Sequence, residues 1–113
     1  MKYENIYICL HQHLLFMETK IQNLEKAAFI LKTIAHPTRL AIIDLLNKYE
    51  QLPVNEVCKY LGTEQSVISH HLINMRTRGL LKASKSGNNV LYSLKELSLT
   101  HIMDCVNNCN CNM

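Results

Sequence analysis

Tryptophan is absent from this 113-residue chain, glycine occurs three times and proline twice. So little Gly and Pro excludes collagen-like and low-complexity classes, and 48% hydrophobic residues excludes a chain too polar to fold. No apolar run approaches the ~20 residues a bilayer-spanning helix needs, which excludes an integral membrane protein and predicts no membrane partner. No Gly-rich phosphate loop is present, and no Cys, His and Asp constellation has the spacing of a nucleophilic site, so the chain does not read as an enzyme. What remains is one domain's length, enough to bury roughly 65% of the unfolded surface in a single core.

Formal charge is +3, from 12 Lys and Arg against 9 Asp and Glu, a bias whose location matters more than its size. The five cysteines, Cys9, Cys58, Cys105, Cys109 and Cys111, are odd in number and three crowd the last nine residues, a poor disulfide framework. The Met1–Phe16 stretch has one basic residue before its apolar part, His11, Gln12 and His13 interrupt that part, and no small-residue cleavage site follows. It therefore does not read as a signal peptide. A cytoplasmic protein with reduced thiols is expected, its cysteines serving as metal ligands, redox sensors or small apolar side chains. Residues 1–16 are set apart as an extension, with Met17 an alternative start.

From Glu18 to Ala35, Ile21, Leu24, Ala28, Leu31 and Ile34 recur at helical spacing. Pro37 pushes its predecessor out of the α region, ending that helix near His36, itself a helix-start residue. It suits the first turn of the next helix, which runs to about Tyr49. Pro53 opens a short helix from Val54 to Leu61, Gly62 ends it, and another helix starts almost at once and continues to about Arg78. Two helices across a tight Gly-containing turn make a helix-turn-helix. On a helical wheel Val67, Ile68, His71, Leu72 and Met75 take the inner half of the second helix. Gln65, Ser66, Ser69, His70 and Thr77 take the outer half, with Ile73.

After Gly79 the period falls to two. Leu81, Ala83 and Lys85 alternate with Lys82 and Ser84, Ser86-Gly87-Asn88-Asn89 supplies a turn, and Val90, Tyr92 and Leu94 alternate with Leu91 and Ser93, a β-hairpin. A last helix spans about Glu96 to Asn108, with Leu99, Ile102, Met103 and Val106 as its stripe. The expected fold class is mainly α with a β-hairpin wing, a winged helix-turn-helix over residues 17–108 followed by a Cys-rich tail over 109–113. The stripes of the first and last helices have no further helices to cover them in so short a domain, which points to a homodimer through those two helices.

Between Thr63 and Lys95 the basic residues are Arg76, Arg78, Lys82, Lys85 and Lys95 and the acidic one is Glu64, so the whole positive excess lies on the second helix and the hairpin. A helix fits the major groove of a duplex. Gln65 can pair bidentately with adenine there, and Ser66, Ser69 and His70 are short enough to reach bases or phosphates. Lys82 and Lys85 on the hairpin suit the adjacent backbone, which positions without reading sequence, and Arg76 joins the DNA-binding set.

The run from Leu31 to Leu94 resembles the ArsR/SmtB family of small bacterial metalloregulatory repressors. The resemblance is carried by Leu31-Lys32-Thr33-Ile34-Ala35-His36-Pro37-Thr38-Arg39-Leu40, by Gln65-Ser66-Val67-Ile68-Ser69-His70-His71-Leu72, by Arg76-Thr77-Arg78-Gly79-Leu80-Leu81, and by Gly87 to Leu94 with Tyr92. It implies a homodimeric repressor of double-stranded operator DNA that lets go when an inducer binds. It also implies that Gln65, Ser66, Ser69 and His70 face DNA.

The inducer is less legible. The family site between the last helices maps to Glu96, Ser98, Cys109 and Asn112, of which only Glu96 and Cys109 ligate well. At a second family site the expected cysteines are replaced by Pro53 and Asn55, although Cys58 matches one ligand and Glu56 another. The alternating arm residues Cys9, His11 and His13 can share one side of an extended strand and join Cys58. Cys58 alone is equally a small packed thiol. The preferred cluster is C-terminal: His101, Cys105 and Cys109 recur at one-turn spacing, with Cys111 beyond. Such donors suit a soft ion, As(III), Cd(II), Zn(II) or Cu(I), and placement on a dimer helix lets the ion change the spacing of two recognition helices. A redox version, with disulfides among Cys105, Cys109 and Cys111, is the alternative. Asp44 stands where persulfide-sensing relatives carry a cysteine.

Overall fold

The computed structural model describes residues 17–109, with side-chain surroundings from Gln22 onward. In chain order the elements are α1 (Met17–Ile34), α2 (Pro37–Tyr49), β1 (Gln51–Pro53), α3 (Val54–Leu61), α4 (Gln65–Thr77), β2 (Leu81–Ser86), β3 (Asn89–Leu94) and α5 (Ser98–Asn107). The residues before and after the Lys32–Thr33 boundary form two compact units. The first holds most of α1, on which Leu24, Phe29 and Leu31 are exposed. No described helix is long and apolar enough to cross a membrane.

Everything else belongs to the second unit. Its core is built from Ile42, Ile43 and Leu46 of α2, Val57 of α3, Ile68, Leu72 and Met75 of α4, Leu81 and Tyr92 of the sheet, and Leu99 and Met103 of α5. Each fully buried Leu or Ile contributes about 1.5–3 kcal/mol. The helix boundaries follow from local chemistry. His36 adopts an extended backbone and its Nδ1 accepts the Thr38 N–H at 3.1 Å, capping α2, while Pro37 fills the first turn. Gly62 ends α3 in the left-handed region at φ +60°, ψ +35°, donating its N–H to the Cys58 carbonyl. Tyr49 and Tyr60 stack with centroids 5.1 Å apart, joining the ends of α2 and α3.

Three strands form one antiparallel sheet in the order β1-β3-β2. The hairpin pairs Leu81 with Leu94 through Ser86 with Asn89, closing on a Gly87-Asn88 turn with Gly87 at φ +61°. The strand β1 is not foreseen by the sequence pattern, because three residues are too few to show alternation. It pairs Gln51 with Ser93, Leu52 with Tyr92 and Pro53 with Leu91. The last helix begins at Ser98, later than its periodicity suggests, since the Lys95 and Glu96 N–H groups go to the Leu80 carbonyl at 2.9 and 3.2 Å. Its stripe is partly satisfied within the chain. Leu99 and Met103 are buried and Val106 is exposed.

Candidate nucleic-acid interface

The helix α4 divides much as its wheel predicts. Ile68, His71, Leu72 and Met75 are buried, Gln65, Ser66, His70 and Thr77 are exposed, and Ser69 is half-buried. Val67 departs from the expectation: it is 41% exposed, at the rim between the two halves, and Ile73 is exposed on the outer face as expected. Four inner side chains thus anchor the helix while a stripe of amide, hydroxyl and imidazole groups stands open. Arg76 is exposed at its C-terminal end, and the tight turn at Gly79 (φ +82°) sends the chain into β2.

The wing places its two lysines differently. Both are exposed, but strand alternation puts Lys82 and Lys85 on opposite faces of the hairpin. Lys85 sits beside the tip, paired with Val90. Lys82 lines an open cleft of about 420 Å³ with Asn47, Glu50, Gln51, Ser93 and Thr100, at the base of the wing. A second cleft, about 250 Å³, lies between the starts of α3 and α4 and the wing tip, and is lined by Asn55, Gln65, Asn88 and Asn89 among others. In the sequence Asn88 and Asn89 are turn formers and Asn55 stands at an expected cysteine position; their convergence with Gln65 depends on the sheet and has no local signal.

Behind the outer stripe His71 is buried, and its Nδ1 accepts the Nε–H of Arg39 at 3.1 Å. Burial, then the neighbouring His36, Arg39 and His70, push its pKa below the usual histidine value, so the ring is neutral at pH 7. Its burial agrees with its place on the inner half of the helical wheel.

The thiols are dispersed. Cys58 is half-buried and free, and Cys105 is free and exposed on α5, one turn from the exposed His101. Cys109 lies beyond the last residue of α5 and is engaged in a disulfide, so the expected three-turn edge of that helix stops at Cys105. Among the described residues no group of three or more His, Cys, Asp and Glu side chains is gathered to hold a metal. Cys9, His11, His13 and Cys111 lie outside the described residues.

The family model described as "Bacterial regulatory protein, arsR family" matches residues 36–83, from the α2 cap to the first strand of the wing. The chain is 36% identical over 94 residues to the transcriptional repressor PagR of Bacillus anthracis, covering 81% of this chain and 94% of that protein. It is 32% identical to the HTH-type transcriptional regulator YgaV of Escherichia coli, covering 77% and 88%. Among solved structures, PagR superimposes with a TM-score of 0.71 over 77% of this chain and 99% of its own. HlyU from Vibrio cholerae gives 0.72 at 30% identity over 80% and 97%.

Proposed function

The chain belongs to the ArsR family of bacterial regulatory proteins and is a DNA-binding transcriptional regulator, and from that premise we propose that it is a homodimeric, sequence-specific repressor of operator DNA in the cytoplasm. The observation that carries the reading is the division of α4: a helix held by Ile68, Leu72 and Met75 whose opposite side leaves Gln65, Ser66 and His70 open, beside the exposed Arg76 and Lys85. Gln65, Ser66, Ser69 and His70 read base edges in the major groove. Arg76, Lys85 and, from the wing base, Lys82 neutralise phosphates. Repression is favoured by the likeness to PagR. Exposed apolar residues support pairing of two copies: Leu24 and Leu31 on α1 and, separately, Leu97 and Val106 at the α5 end.

Release of DNA is assigned to a soft ion, As(III), Cd(II), Zn(II) or Cu(I), held by His101, Cys105, Cys109 and Cys111. The one-turn spacing and exposure of His101 and Cys105 support this, since both donors are accessible on one helix. The arm donors Cys9, His11 and His13 with Cys58 form the alternative set. The disulfide at Cys109 favours a second reading, in which oxidation of paired thiols replaces the ion as the signal.

The test is selection from a duplex library with a randomised core, followed by footprinting. A two-fold-symmetric site with half-sites about 34 Å apart is expected. Unenriched sequence, or one protomer on a single half-site, would overturn the proposal.

A further inference from the structure

Arg39 joins three parts of the fold. Its Nε–H goes to Nδ1 of His71 in the middle of α4 at 3.1 Å, and its Nη1 donates to the Thr33 carbonyl at 2.8 Å. That carbonyl belongs to the last turn of α1. From just past the other end of α4, Arg78 donates to the Thr33 hydroxyl at 3.3 Å. Two arginines therefore meet at the buried Thr33, and one of them reaches through to the inner side of the recognition helix. The imidazoles continue outward from there. The His36 ring lies 4.6 Å from that of His71, and the His70 ring lies 5.6 Å away on the other side, with its own face open to solvent.

We infer that Arg39 is a positioning residue for the recognition helix, acting through His71, and that the pair is a proton-operated latch which holds only while Nδ1 of His71 is an acceptor. A neutral imidazole has one acceptor and one donor nitrogen, so with Nδ1 accepting, the ring proton stands on Nε2. A second proton turns Nδ1 into a donor aimed at the donor of a permanently charged guanidinium, and the hydrogen bond becomes a contact between like charges. The groups facing His71 are His36 and Arg39 from the start of α2 and His70 from its own helix, and every one is basic. They reinforce burial in keeping the ring neutral. The sign follows from that. The folded protein resists a proton that the unfolded chain accepts below about pH 6.5, so latch and stability are intact above that value and are lost as the pH falls through the lowered pKa.

The latch rests on the reading of α4 as the DNA-contacting helix, and two measurements keep the two claims apart. The first follows the histidine rings of the free full-length protein by NMR against pH. His71 titrates below the usual histidine value, and Arg39→Met, which removes the guanidinium and keeps the stem, raises its titration point. The second compares affinity for the library-selected duplex at about pH 7.5 and about pH 5.5. The wild type loses affinity on acidification, by less than the roughly tenfold that a ring titrating at the ordinary histidine value would give. Binding that strengthens on acidification overturns the latch. His71→Asn, whose Oδ1 can accept from Arg39 but takes no proton, flattens the profile. Arg39→Met weakens binding near neutral pH without changing the salt slope, whereas an arginine on a phosphate would lower that slope by about 0.9. An acid loss that survives His71→Asn, or a His71 titration indifferent to Arg39→Met, overturns the latch. A wild type that selects no site at either pH overturns the DNA reading, and the NMR titration then still decides the latch.

Discussion

Leu52 and Tyr92 face each other across the antiparallel pairing of β1 and β3, and both are buried. This pair fastens the wing to the body of the domain, because β3 is the strand shared between β1 and the hairpin. Truncating Tyr92→Ala removes a large side chain from a core with few alternatives for refilling it. A loss of about 3 kcal/mol is expected in urea unfolding. DNA affinity should fall as well, through misplacement of the wing, with the salt slope unchanged because no charge is removed.

Glu50 ends α2 at φ +65°, ψ −57°, the only non-glycine residue at positive φ among those described. A side chain there costs on the order of 1–3 kcal/mol of strain. Glycine removes the Cβ clash but adds freedom to the unfolded chain, so the two effects partly offset. The expected result for Glu50→Gly is a gain of about 0.5–1 kcal/mol and a midpoint raised by a few degrees in thermal unfolding. Unchanged or lower stability would mean that Glu50 makes compensating contacts on the wall of the cleft it shares with Lys82 and Gln51.

The proposed division of labour across the interface has its own signature. Gln65→Ala should cost about 1–3 kcal/mol on the selected site and much less on random duplex, relaxing choice at one base position. Lys85→Ala should weaken both equally and reduce the slope of log affinity against log salt by about 0.9. Lys82→Ala should reduce it by less, since Lys82 faces the cleft beside Glu50. Affinity measured on both duplexes over a salt series checks all three. Equal losses on both duplexes for Gln65→Ala would remove it from the base-reading set.

The parts of this molecule legible in its sequence are those governed by neighbours in the chain. Pro37 and His36 mark the start of α2, and Gly62 the end of α3, because caps and left-handed turns are local chemistry. The burial of Ile68, His71, Leu72 and Met75 follows from the 3.6-residue period alone. The strand β1 was hidden because its partner residues lie some forty positions away and its own three residues carry no period. The opposite placement of Lys82 and Lys85 is implicit in strand alternation, yet where each face points depends on the packed sheet. The link from Arg39 to His71 spans 32 positions and has no signature in a one-dimensional pattern.

The thiols give the last prediction. Cys105 is an exposed free thiol on α5, one turn from His101, whereas Cys109 stands off the helix in a disulfide. If the end of the chain is the sensor, it must be reduced before it can take a soft ion, since a disulfide sulfur is no longer a thiolate donor. Protein reduced with a phosphine should bind Cd(II) or As(III), and the ion should weaken operator affinity about tenfold or more. Cys105→Ser and Cys109→Ser should each abolish that response, as a hydroxyl ligates soft ions poorly. Isothermal titration and DNA-binding anisotropy, both run without oxygen, measure the two effects. Release by peroxide with indifference to metal would make the thiols a redox pair. A response that both Ser variants retain would move the sensor to Cys58 and the arm donors Cys9, His11 and His13.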